Sequence, residues 1–103
     1  MHITGNKYLA DFGMAKAILH FQSESSLTFT IIEKDGSEAN ITETVAIKMI
    51  EIRPQLFMVT WKEANGNSIT QVQDYEKGML YANWTMPCGE CINRTGSIKR
   101  VDA

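Results

Sequence analysis

"LFMVTWKEANGNSITQVQDYEKGMLYANWT", residues 56–85, decides the fold. Apolar and polar side chains alternate along "LFMVTWKE" (56–63), "SITQVQDY" (68–75) and "MLYANWT" (79–85). A period of two is the mark of a strand with one face buried. Between these runs stand "ANGN" (64–67) and "EKG" (76–78). Asn-Gly and a terminal Gly supply the positive φ angles that tight hairpins need. Three strands joined by two short turns are therefore expected, paired in chain order.

The same grammar extends both ways. Upstream, "NKYLADF" (6–12), "AKAILHFQ" (15–22) and "SLTFTIIEK" (26–34) read as strands, with Leu27, Phe29 and Ile31 on one face. Asp35-Gly36 is a hairpin turn, followed by a long strand within 38–52. In it Val45, Ile47 and Met49 face one way, then Ile50 and Ile52 the other, which suggests a bulge or bend. "RPQ" (53–55) turns the chain into 56–63, and "PCGE" (87–90) turns it into a last strand, "CINRTGSIKRV" (91–101). No convincing helix appears. About eight short strands linked by hairpins tend to curl and close, because closure removes exposed edges. The expected fold is all-β: one domain, an eight-stranded antiparallel up-and-down barrel, with a two-sheet sandwich as second choice. Eight strands leave an interior just wide enough for side chains or one small ligand. Strands this short make any cup shallow.

Composition narrows the function. Of 103 residues, 44% are hydrophobic and 21% charged, and the net charge is −2. That is a globular chain. Acidic and basic residues are interspersed with no basic stripe, so nucleic acid is not an expected partner. No apolar run is long enough for a membrane-spanning helix. The first residues, "MHITGNKYLADFG", have neither a basic start nor an apolar core, so a cytoplasmic location is expected. "NIT", "NWT" and "NRT", at Asn40, Asn83 and Asn93, match the glycosylation pattern, without consequence in that compartment.

The pattern of residues 51–90 also resembles a known family. Ile-Arg-Pro is followed by a strand ending Trp-x-Glu, an Asn-Gly turn, and a strand ending in Asp. A Gly turn, Tyr-x-Asn-x-Thr and a Pro-x-Gly turn complete it. This is similar to the MoaF-like family, named after a molybdenum-cofactor biosynthesis protein; "ADFGMAKAILHFQSESSLTFT" fits its opening strands. The resemblance implies a lipocalin-like (calycin) barrel. It implies no role with molybdenum. Barrels of this class include ligand carriers and a few enzymes, such as phenolic acid decarboxylases, whose catalytic set has no match here. Fold alone does not give function.

Candidate ligand-binding residues are Trp61, Glu63, Asp74, Tyr81 and Trp84. Trp61, Tyr81 and Trp84 would wall a cup. Glu63 or Asp74 would orient a ligand, as a carboxylate desolvated beside aromatics. The plainer reading keeps Trp61 in the core, Glu63 in water at the rim, and Asp74 capping the "EKG" turn. The register around Asn65-Gly66 stays open. A two-residue loop puts Trp61 opposite Thr70 and brings Val72 and Asp74 to its face. A three-residue loop slips the pairing by one and brings Gln71 and Gln73 there instead. Arg53, at the "RPQ" corner, can pair with a carboxylate or reach into the cup.

No His-Asp-Ser set, phosphate loop or dinucleotide fingerprint appears. Cys88 and Cys91 have the spacing of a redox pair or half a zinc site. A redox pair normally opens a helix, and here the flanks are strands. A structural zinc site needs more ligands than His2 and His20 offer. The pair is read as a hairpin turn; no metal and no cofactor are expected. Six methionines, Met1, Met14, Met49, Met58, Met79 and Met86, suit an irregular pocket, an interface or simple core filling. A homodimer is favoured over a monomer.

Three functions follow. The first is a cup for a small, partly apolar ligand. The second is a decarboxylase-, isomerase- or cyclase-type enzyme with Glu63 or Asp74 as acid/base. The third is an interaction protein with a filled core. The sequence names no reaction.

Overall fold

In a computed structural model that describes residues 2–101, the chain is all-β. Eight strands run in order: β1 (Lys7–Asp11), β2 (Lys16–Ser23), β3 (Ser26–Lys34), β4 (Ser37–Arg53), β5 (Leu56–Lys62), β6 (Ser68–Asp74), β7 (Met79–Thr85) and β8 (Cys91–Arg100). Each pairs antiparallel with its neighbours in sequence, and β1 pairs with β8 to close a barrel. Met1, one of the methionines noted above, lies outside the described residues.

The turns follow their residue chemistry. Asp35-Gly36 is a two-residue turn between the paired Lys34 and Ser37. Pro54-Gln55 joins the paired Arg53 and Leu56, with Gln55 at φ 68°. Proline pre-sets the first turn position, and a positive φ at the second is the type II geometry. The β6–β7 connection is one residue longer than "EKG", since Asp74 pairs with Met79.

Two hairpins share one construction. Between β5 and β6, the Glu63 N–H donates to the Asn67 carbonyl and the Gly66 N–H to the Glu63 carbonyl, at 2.8 and 2.9 Å. Between β7 and β8, Met86 N–H donates to Glu90 and Gly89 N–H to Met86, at 2.8 and 2.9 Å. Gly66 and Gly89 both take the left-handed conformation, φ 92° and 94°. These are three-residue loops ending in a left-handed glycine. The first fixes the open register: Trp61 pairs with Ile69, Val59 with Gln71, and Phe57 with Gln73. Gln71 and Gln73 thus join the inner face.

β4 contains the expected irregularity, just after its change of apolar face. It runs regularly through Met49, Ile50 and Glu51, paired with Val59, Met58 and Phe57, and the irregularity comes at Glu51–Arg53. Val45 and Ile47 are buried, while Ile50 and Ile52 are 56% and 52% exposed. Ile50 begins an outer row that continues across the sheet as Met58, Val72 and Tyr81.

The interior has two halves. At the base, near the β2–β3, β4–β5 and β6–β7 turns, side chains fill it. Tyr8, Phe21, Leu27, Val59, Leu80 and Gln73 are fully buried there. Tyr75 packs on Tyr8 and Phe57, with ring centroids 4.8 and 5.9 Å apart. Each aliphatic or aromatic side chain removed from water contributes roughly 1.5–3 kcal/mol. The other half opens at the end where the β1–β2, β3–β4, β5–β6 and β7–β8 connections lie.

Candidate functional site: an open cup at one end of the barrel

A cavity of about 260 Å³ occupies this open half. Its walls come from the inner faces of β1, β2, β3, β5, β6 and β7. Alternation along each strand delivers Leu19, Phe29, Trp61, Ile69 and Gln71 to them, and the β1–β2 connection adds Phe12. Aromatic rings dominate. Phe29 lies against Trp61 with centroids 6.2 Å apart, and Phe12 meets Trp84 edge-on at 5.3 Å. The Arg94 guanidinium stands 5.8 Å from the Trp84 ring centre.

Glu63 sits where β5 enters its hairpin, half-buried at the rim of the cup. The Trp61 indole N–H donates to Glu63 Oε2 at 3.3 Å. Its carboxyl pKa is raised, first by burial and further by the charge of Glu43; the hydrogen bonds from Trp61 and Asn67 and the charge of Lys34 pull the other way. Lys34 and Lys16 also reach the cavity, and Lys16 pairs with Glu33 at 3.6 Å. The lining thus offers a carboxylate, two amines, amides and four aromatic rings, and no serine, threonine, cysteine or histidine.

Of the five candidate residues, Trp61, Glu63 and Trp84 meet at this cup. Asp74 lies at the opposite end. Its Oδ1 accepts from the backbone N–H groups of Glu76 and Lys77, at 3.1 and 3.0 Å, and its Oδ2 is 4.0 Å from Arg53. It holds the β6–β7 turn, as an Asp followed by a turn can. Arg53 also pairs with Glu76 at 3.5 Å, so it ties two carboxylates at the base and does not enter the cup. Tyr81 stands on the outer surface, 46% exposed. It is three residues from Trp84, so on a regular strand the two face opposite sides. Asn83, on the same outer face, donates to Asn93 at 2.8 Å.

Gln71, Phe12, Phe29 and Asn67 are lining residues that the candidate set lacks. Gln71 follows from the three-residue loop alone. Cys88 and Cys91 are free thiols, exposed at and just after the β7–β8 turn. Among the described residues no His/Cys/Asp/Glu cluster could hold a metal ion, and no helix is long and apolar enough to cross a membrane.

Residues 4–99 match the MoaF-like family. The chain belongs to that family. This MoaF-like barrel is also similar to a crystal structure from Burkholderia vietnamiensis, of a protein provisionally described as a beta-lactamase. The two share 15% identity over 98% of this chain and 97% of the other, with a TM-score of 0.87. At that identity the likeness is one of fold. Among curated proteins nothing matches the MoaF-like chain.

Proposed function

We propose that the protein binds a small, partly apolar organic molecule in the cup. The observation that carries this is a half-open, aromatic-walled cavity with a desolvated carboxylate at its rim. Concave apolar sites with a few convergent polar groups are what ligands occupy. A volume of about 260 Å³ is slightly below the usual ~300–1,000 Å³ of such pockets, so the ligand is the size of one or two rings. The base of the barrel is filled, which suits a shallow cup, and the cavity above it argues against an interaction protein with a wholly filled core.

A second reading, an enzyme with Glu63 as acid/base, is favoured by the direction of its pKa shift. Asp74 does not serve there, being at the other end. The lining holds no hydroxyl or thiol nucleophile; its nucleophilic side chains are the amines of Lys16 and Lys34 and the Glu63 carboxylate.

The chain's two tryptophans, Trp61 and Trp84, both line the cup. Occupancy therefore reads out directly in tryptophan emission, alongside a thermal-shift screen of small metabolites and aromatic acids. Ligands that shift the emission should bind more weakly to Glu63→Gln. Unchanged affinity would remove Glu63 from the site, and no emission or melting change with any compound would refute the cup.

A further inference from the structure

The floor of the cup is polar, although most side chains packed below it are apolar. Along the inner face of β6 and into its turn, Gln71, Gln73 and Tyr75 follow one another at every second position. Their side chains form one chain of hydrogen bonds. The Tyr75 hydroxyl donates to Gln73 Oε1 at 2.7 Å, and Gln73 Nε2 donates to Gln71 Oε1 at 2.9 Å. Gln73 is fully buried and Gln71 only 4% exposed.

The direction of this chain is fixed from its inner end. Burial pushes the Tyr75 phenol pKa up, so it keeps its proton. A buried hydroxyl must donate, and Gln73 Oε1 is the acceptor it has. That choice turns the Gln73 amide so that its nitrogen meets Gln71, which turns the Gln71 amide in its turn. Gln71 Oε1 is engaged, and Gln71 Nε2 meets no acceptor among the described residues. No buried side-chain nitrogen or oxygen among them is sealed away without a partner, and Gln71 lines the cavity. The Gln71 N–H groups therefore open into the cup.

We propose that the Tyr75–Gln73–Gln71 chain gives the cup a donor of fixed polarity at its floor. The ligand then enters with a neutral hydrogen-bond acceptor inward and a donor outward, beside Glu63. This rests on the cup being a ligand site and names the class it takes: aryl ketones, amides, lactams and similar carbonyl-bearing rings. A carboxylate at the floor is disfavoured, because both lysines of the lining lie toward the mouth and a buried charge without a partner is costly. Gln71 would touch the ligand; Gln73 and Tyr75 are positioning residues that set which of its amide atoms faces inward.

Two matched probes test this: 4-aminoacetophenone, with a carbonyl opposite its amine, and 4-ethylaniline, which lacks the carbonyl. Titrations follow tryptophan emission, and NMR follows the Gln71 side-chain amide. On the wild type the ketone should bind roughly tenfold more tightly, as expected when a buried donor is otherwise left unpaired. It should also shift the Gln71 Nε2 resonance, which the ethyl probe leaves in place. Gln71→Leu should bring the ratio close to one. Tyr75→Phe frees the Gln73 amide to turn and should lower the ratio as well; it carries the test if Gln71→Leu does not melt cooperatively. Equal affinities on the wild type, or a ketone preference that survives both substitutions, would overturn the floor donor while leaving the cup intact. If neither probe perturbs the tryptophans, the floor donor is overturned, and the cup reading stands or falls by the wider screen.

Discussion

Gly96→Ala should loosen the barrel at its seam. Gly96 lies on β8, opposite Leu80, just before the four rungs that join Ser97–Arg100 to β1. A Cβ there would run into the Asp11 carbonyl oxygen and come within 2.9 Å of Phe12 Cδ1. The obstacle is mainly backbone, so no rotamer change relieves it, and the end of β1 has to move away. Overpacking of this kind costs about 1–3 kcal/mol. Losing one seam hydrogen bond adds about 1 kcal/mol. Replacing a strand glycine returns about 0.5–1 kcal/mol of chain entropy. The net is a destabilisation of about 2 kcal/mol, which for a domain near this size lowers Tm by roughly 10 °C. Phe12 follows Asp11 and packs 5.3 Å from Trp84, so the emission of the folded protein should change as well. Gly5→Ala is the control: open space surrounds that position, its φ is 83°, and it lies at the base. It should lose stability through backbone strain alone, with tryptophan emission intact. Calorimetry with matched emission spectra reads both. A Gly96→Ala protein that melts within about 2 °C of the wild type, with unchanged emission, would refute the tight seam.

Glu63→Gln should raise stability at neutral pH, by less than about 1 kcal/mol because water reaches the rim. The raised pKa means the folded state favours the protonated form, so that stabilisation is complete below the ordinary value of 4.5 and is lost as pH rises through the folded pKa. The two proteins should therefore melt alike in acid and diverge above it; parallel melting curves across pH would contradict the shift. Gln55→Gly removes a non-glycine residue from φ 68° and should add about 1 kcal/mol in urea titrations, provided the Tyr75 N–H bond to the residue 55 carbonyl is kept. The expected homodimer would close on the outer row that includes Ile50 and Tyr81, so Ile50→Lys with Tyr81→Lys should give monomers in sedimentation velocity. A wild type that is already monomeric would remove that expectation.

The strands were legible because alternation and turn chemistry agree along the whole chain. Asp35-Gly36 and Pro54-Gln55 turn where their residue types place them. What stayed open was the register, because "ANGN" satisfies two loop lengths and each sends a different face of β6 inward. Hydrophobicity favours the face with Val72. The fold takes the face with Gln71 and Gln73, whose amides satisfy each other and Tyr75 in the interior, while Val72 joins the outer row. Long-range packing also bears on the loop: a Cβ on Gly66 would stand 2.9 Å from Pro87 of the neighbouring hairpin, and no local pattern encodes that approach. Half of the cup was legible for the same reason. Trp61 and Glu63 share a face in either register. Phe12 and Phe29 reach the cup only through the closure of distant strands, which a single strand's periodicity does not contain.

That closure has a temporal consequence. The rungs pairing Tyr8 with Arg100 and Asp11 with Ser97 join segments from opposite ends of the chain. During synthesis β1 is made early and must wait, with one edge unpaired, until β8 has emerged. Every other pairing in the barrel forms within a hairpin. Non-local closure of this kind slows folding and exposes edges meanwhile. The shortest strand of the barrel, β1, is the one that waits. A brief edge gives other chains little to add to, so the interval before closure is guarded by its shortness.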